Sequence, residues 1–326
     1  MIGRMRYNPS CQIGPAIHQA GKNANLTFCD SLMLKDPRLF KRLFYQLPLP
    51  MRHKIKKMIY RLPFSSGKGS QRGADVYVVS YPKCGRTWLR LMIGQVFALY
   101  VNEAEANPLQ PDEIARNHPG LPLIQFTHDD YPHLKTSAEL SKTKQNYKGK
   151  KVIFLARDPR DVVVSYYFEV TRRASLNPNY PIIRLDLSAF LRYSVGSIDT
   201  IIHYYNIWAE NRHLPGGFLL LRYEDLQAET ERELRRVLDF IGLVNLPQEL
   251  IHQAVKYTRF ENMRRLEESG ALDSFRLRPG DRYDPESFKT RRGKVGGFVD
   301  YLSQDDIAYL NHKIKTQLSP LFGYQP

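Results

Sequence analysis

The stretch DVYVVSYPKCGRTWLRLMIGQVFALY, residues 75 to 100, constrains the fold more than any other part of the chain. Residues 75 to 80 form a β-branched run without polar alternation, which suits a short strand buried on both faces. Residues 87 to 100 read as a helix, and a tight glycine-containing turn joins the two. A strand that feeds a helix through such a turn aims backbone N–H groups and the positive end of the helix at one point, where an anion would sit. Lys83 adds a mobile positive charge there, Gly85 lets the backbone approach closely, and Thr87 supplies a hydroxyl at the helix start. A nucleoside triphosphatase loop would place its lysine after the last glycine, so this order does not fit one. Gly67-Lys68 does have that local order, but Leu62 stands at the first glycine position, Gly69 replaces the hydroxyl residue and no strand precedes it.

The strand-then-helix pattern repeats. LPLIQFTH ends at His128, KVIFLAR at Arg157 and GFLLLRY at Tyr223, each an apolar run. Asp158-Pro159 reads as an N-cap and first helical residue. Helices are expected over 186–212, 228–241 and 247–268. Continuous apolar strands alternating with helices predict an α/β fold, a central, mostly parallel sheet with helices on both faces. Ligands of such sheets bind beyond the carboxyl ends of the strands. Residues 81 to 88, His128, Arg157 and Tyr223 would then share one crevice.

Charge divides the chain. Residues 1–72 hold fourteen lysines and arginines against Asp30 and Asp36, a net +12 of the chain's +15, which leaves +3 for residues 73–326. The expectation is a basic N-terminal extension followed by one nearly neutral catalytic domain. Within the extension, residues 36–62 read as short amphipathic helices, basic on one side, that could touch an anionic membrane. The equally physical alternative is a helix packed on its own domain with solvated lysines. No run approaches 18 apolar residues and no signal peptide is apparent, so the expectation is a cytoplasmic protein that could sit peripherally at a membrane. Cys11, Cys29 and Cys84 make no disulfide framework and no metal-ligand spacing, so no metal is expected.

A second anion site is suggested by ARDPRDVVVSYYF, where Arg157 closes a strand and Ser165 lies two turns into the next helix. Pairing of Arg157 with Asp158 or Asp161 as a surface ion pair is the plainer alternative. KTRRGKVGGF, residues 289 to 298, suits a flap over a further phosphate.

Together these segments resemble the cytosolic sulfotransferases. Residues 81 to 88 are similar to that family's YPKSGTTW loop, RDPRDVVVSYYF to its 3′-phosphate motif, YEDL and YTRFENM to its adenine-side segments, and RRGKVGGF to its RKGxxGDW flap. The resemblance implies a P-loop-like sulfotransferase fold and 3′-phosphoadenosine 5′-phosphosulfate (PAPS) as donor. It places Lys83 at the phosphosulfate bridge, and Cys84, Gly85, Arg86 and Thr87 around the 5′-phosphate. Trp88, Tyr223, Thr258 and Phe260 would surround the adenine, and Arg157, Ser165, Arg291, Arg292 and Gly293 the 3′-phosphate. The segment FTH matches the family's catalytic KTH, which makes His128 the base; Asp129 and Asp130 could orient it or bind an acceptor hydroxyl. His118 and His133 fall in loops where surface or core roles are commoner.

The chain also departs from the pattern. Cys84 replaces a serine, Arg86 a threonine, and Phe126 a lysine near the leaving group. No KxxxTVxxxE segment follows the flap, so the dimer built on it is not expected. The acceptor would be a small molecule, lipid or glycan bearing a hydroxyl, and no specific nucleic acid is expected. Two rivals remain open: an ATP-dependent P-loop phosphotransferase, and a module that binds anionic surfaces through its basic extension.

Overall fold

The structure, a computed structural model, describes residues 73–173, Leu176 and 183–324. The basic extension, its expected helices at 36–62, Cys11 and Cys29 lie outside the described residues.

In chain order the elements are β1 (Val76–Ser80), α1 (Arg86–Tyr100), α2 (Pro111–Asn117), β2 (Ile124–Thr127), β3 (Lys151–Ala156), α3 (Pro159–Arg172), α4 (Leu187–Leu191) and α5 (Ile198–Asn211). They continue with β4 (Gly217–Arg222), α6 (Tyr223–Ala228), α7 (Thr230–Ile241), α8 (Gln248–Tyr257), α9 (Phe260–Ser269) and α10 (Gln304–Gln317). The four strands pair in the order β2-β1-β3-β4, all parallel. Val78 and Val79 point to opposite faces and both are fully buried, as are Ile153 and Phe154 beside them. A strand can be apolar at every position only when both faces are covered. The helices accordingly form two groups: α1 packs with α2, α7 and α8, and α5 packs with α3 and α10. Each valine or leucine buried completely in such a core contributes about 1.5–3 kcal/mol.

Register places the chemistry. Val79 stands opposite Thr127 and Phe154, and Ala156 opposite Arg222, so all four strands end at one edge of the sheet. The residues just past those ends are Tyr81, His128, Arg157 and Tyr223, as the sequence pattern predicts. The start of α3 also follows the sequence: Asp158 accepts from Arg160 N at 2.9 Å and Pro159 takes the first helical position.

Two expected helices are broken. The 186–212 helix is interrupted between Arg192 and Ser197. Gly196 sits there at φ 72°, and a Cβ on it would lie 2.6 Å from the His133 carbonyl oxygen. The 247–268 helix stops at Thr258 and restarts after Arg259. That break has a chemical use, since the Thr258 carbonyl accepts the Trp88 indole N–H at 3.0 Å.

Candidate active site

The turn after β1 is built from left-handed residues. Lys83 has φ 76° and Gly85 has φ 92°, and Gly85 caps α1. An L side chain at Gly85 would place its Cβ 2.6 Å from Tyr223 Cδ2, so only glycine lets the loop lie against that ring. The first-turn amides of α1 have no intrahelical acceptors and face the same space. Lys83, tolerating a conformation costly for a branched or bulky side chain, points inward, where its Nζ lies 2.5 Å from Glu169 Oε2. Burial pulls the Lys83 ammonium down to about 7, against the opposing pull of Glu169. Glu169 itself is held well below the usual carboxylate range by Lys289, Lys83 and Arg173, which outweigh its burial.

His128 follows β2 directly. Its Nδ1 lies 2.9 Å from the carbonyl of Ser80, which ends the neighbouring strand, so Nδ1 carries the proton and donates it. Nε2 is then the free lone pair, and it accepts from Arg86 Nη2 at 2.7 Å. Burial, with Arg86 and His133 adding positive charge, holds the imidazole well below its ordinary range, so it is neutral at physiological pH. Asp129 and Asp130 do not orient it. Asp129 pairs with Lys144 at 2.7 Å and accepts from the Tyr147 hydroxyl, while Asp130 is bound to Lys135 and Ser141 N. The strand-end carbonyl of Ser80 does the orienting instead. His133 is buried and packs edge-on to the His128 ring, with centroids 5.5 Å apart, so it is a core neighbour of His128.

Arg157 closes β3 and is half-buried. It pairs with Asp161 at 3.3 Å, donates to the carbonyls of Lys83 and Lys294, and lies 4.4 Å from the centroid of the Tyr223 ring. Asp161 also accepts from the amides of Gly296 and Phe298, which ties the far end of the flap to the first turn of α3. Arg291 and Arg292 reach the cavity from the flap while engaging Glu286 at 3.0 Å and Asp300 at 3.2 Å. Ser165 is buried on the second turn of α3 and faces the same space. Between the two cationic ends stand aromatic side chains: Trp88 meets Tyr223 edge-on at 5.8 Å, and Phe260 packs under Gly293, where a Cβ would lie 2.7 Å from its ring.

These groups line one cavity of about 330 Å³, within the range of small-molecule sites. Of the site residues named from the sequence, all but Cys84 are in its wall. Cys84 turns into the core, where its Sγ lies 3.3 Å from the Tyr205 hydroxyl and burial pushes the thiol up to about 12. Phe126 turns to Arg90, whose guanidinium lies 4.0 Å from the ring centroid.

Several residues of the site escape sequence reasoning. Lys289 lines the cavity and shares Glu169 with Lys83, at 3.3 Å from both carboxylate oxygens. Both ammonium groups lie on Glu169 Oε2, at 2.5 and 3.3 Å, so they are at most 5.8 Å apart. Buried Glu267 anchors the root of the flap by accepting from Thr290 N at 2.8 Å and Thr290 Oγ1 at 2.7 Å. Tyr204 and Tyr205, adjacent on α5, hold two strand ends: Tyr204 donates to the His128 carbonyl, and Tyr205 donates to the Arg157 carbonyl and accepts from its amide. In sequence the tyrosines read only as apolar helix positions, and the two glutamates only as charges on helices. Among the described residues, no group of three or more His, Cys, Asp or Glu could hold a metal ion, and no helix is long and apolar enough to cross a membrane.

A parallel sheet with an anion loop, an aromatic slot and a second cationic pole at its carboxyl edge defines a nucleotide-dependent group-transfer domain. Comparison with known proteins narrows the class. The chain belongs to the PAPS-dependent sulfotransferase family: the sulfotransferase domain model matches residues 73–321. It is similar to flavonol 3-sulfotransferase of Flaveria bidentis, at 25% identity over 75% of this chain and 81% of the relative. Sulfotransferase 1A1 of Bos taurus is 30% identical over 59% of this chain and 66% of its own length. Two solved structures share the fold at a TM-score of 0.50. One is a mouse sulfotransferase complexed with PAP, at 21% identity over 77% of this chain and 88% of that one. The other is a retinol dehydratase in complex with androsterone and the inactive cofactor PAP, at 19% identity over 74% of this chain and 80% of that one.

Proposed function

We propose that this chain transfers a sulfuryl group from PAPS to a hydroxyl of a small-molecule acceptor, with His128 as general base and Lys83 as the cation at the leaving phosphate. The observation that carries this reading is the protonation of His128: with Nδ1–H committed to Ser80, the neutral Nε2 lone pair faces the same cavity as Lys83.

The residues present fit the donor. Lys83, the amides of Gly85 to Thr87 and the helix end would hold the 5′-phosphosulfate, Trp88, Tyr223, Thr258 and Phe260 the adenine, and Arg157, Ser165, Arg291, Arg292 and Gly293 the 3′-phosphate. Tyr223 and Phe260 lie so close to the loop and flap glycines that a Cβ at Gly85 or Gly293 would strike their rings. The donor supplies an activated sulfuryl group and leaves as adenosine 3′,5′-bisphosphate (PAP). His128 Nε2 takes the acceptor proton, which its depressed basicity still permits because the acceptor oxygen loses that proton as it gains a bond to sulfur. Lys83, reinforced by Lys289 nearby, places positive charge where the bridging oxygen becomes a phosphate. Binding of the remote 3′-phosphate orients the reacting group without touching it.

A flavonol and the androsterone named for the relatives are small hydroxylated molecules, which supports a small-molecule acceptor over a lipid or glycan. Similarity to cytosolic sulfotransferase 17 of Arabidopsis thaliana, at 25% identity over 74% of this chain and 73% of the relative, supports a cytosolic location. The test is transfer of radiolabelled sulfuryl from PAPS into a metabolite extract. His128→Ala should lower transfer by about 100-fold or more while PAP still binds. Substantial transfer by that variant removes His128 from the mechanism, and magnesium-dependent consumption of ATP in place of PAPS overturns the reaction class.

A further inference from the structure

His128 Nε2 has one lone pair, and the Arg86 guanidinium occupies it at 2.7 Å. With Nδ1 bound to Ser80, the ring has no other acceptor. An acceptor hydroxyl therefore reaches the base only after Arg86 swings away. Arg86 is also not alone. Arg90, one turn further along α1, is buried against Phe126, and its ion pair with Asp112 is long, at 4.0 Å. Burial together with Arg276 and Arg86 lowers the Arg90 guanidinium to about 9, so three arginines crowd this corner of the molecule. Lys289 adds its positive charge at His128 from the flap side. What draws a guanidinium from a neutral imidazole is an anion, because Coulomb attraction between two full opposite charges then adds to the hydrogen bond.

We infer that the acceptor carries an anionic group, such as a carboxylate, beside its hydroxyl, and that this group takes Arg86 from His128 Nε2 and so exposes the base to the hydroxyl. Resting on the assignment of His128 as base, this names the acceptor class for the same site. It also gives a reason for an arginine at a position where the resembling family carries threonine: neutral acceptors leave the base covered. The 5′-phosphate that the donor shares with PAP is the other candidate source of the anion, and the experiment separates the two.

Hydroxy acids such as 4-hydroxybenzoate and 3-hydroxybutyrate, each paired with its own amide, are titrated calorimetrically into the PAP-loaded full chain. The His128 ring nitrogens are followed by NMR in the same samples. The acids should bind at least about tenfold more tightly than their amides, as one charge-assisted pair provides. The Nε2 resonance should shift when an acid is added and not when PAP alone is added. Arg86→Thr should compress the acid preference to below about threefold, and Arg86→Lys, which keeps the charge without the planar fork, should retain part of it. Thermal unfolding of both variants reports whether they fold. Equal binding of acids and amides, binding of neither, a preference that survives Arg86→Thr, or a full Nε2 shift with PAP alone overturns the inference. Failure of the wild-type chain to bind PAP at all would instead overturn the sulfotransferase reading beneath it.

Discussion

Gly85→Ala isolates the contact that shapes the nucleotide slot. Gly85 lies at φ 92°, and a methyl group added there would stand 2.6 Å from Tyr223 Cδ2 and 3.0 Å from Cε2. Holding an L residue in the left-handed region costs about 1–2 kcal/mol. At about 2–4 °C per kcal/mol for a domain of this size, that lowers the melting temperature by about 2–8 °C. The clash adds a second effect. Tyr223 is confined by Trp88 on one side and by the Arg157 guanidinium on the other, so it must move toward the slot or drag Arg157 with it. A displacement approaching 1 Å in a binding site can cost about 100-fold, and PAP affinity should fall at least about tenfold. Gly270→Ala is the control: it has φ 69° with nothing within 4 Å of its Cβ. Urea melts should show a backbone cost for both variants, and calorimetry should show loss of PAP affinity for Gly85→Ala alone. Equal affinity losses in the two, or wild-type PAP affinity in folded Gly85→Ala, would refute the argument from the Tyr223 contact.

The donor kcat/KM should fall as pH rises through about 7, because burial lowers the Lys83 pKa to about 7 and the ammonium is lost above it. No acid limb should appear near pH ~6.5, since His128 titrates well below its ordinary range. Glu169→Gln removes the carboxylate that raises the Lys83 pKa, so the alkaline limb of the profile should move to lower pH. Glu267→Ala leaves the Lys289 and Thr290 amides without their buried acceptor, while Arg173 keeps Glu169, and should destabilise the fold by about 1–3 kcal/mol per orphaned amide in denaturant titration. The Cys84 thiol should resist alkylation in the folded protein and react on unfolding, as mass spectrometry of its peptide will show.

The strand ends were legible because each is an apolar run that terminates on a charged or polar residue, and a parallel sheet gathers such ends at one edge. The loop at residues 81 to 88 was legible because a glycine turn between strand and helix has few other uses. Cys84 was misleading, since sequence position put it in the anion loop while its side chain packs on Tyr205. The helix breaks at Gly196 and Thr258 stayed hidden because each depends on a partner far along the chain, the His133 carbonyl in one case and the Trp88 indole in the other. Glu169 and Lys289 were invisible for a related reason. They are 120 residues apart, and their meeting beside Lys83 follows from how the flap docks on α3.

Sulfuryl transfer from PAPS requires one cavity to bind a nucleotide with phosphoryl groups at both the 3′ and 5′ positions of its ribose. Calorimetric titration with PAP and with AMP tests it most directly. PAP should bind at least about 100-fold more tightly than AMP, because the 3′-phosphate gains several charge-assisted hydrogen bonds from Arg157, Ser165 and the flap. Equal affinities, or no binding of PAP, would contradict it.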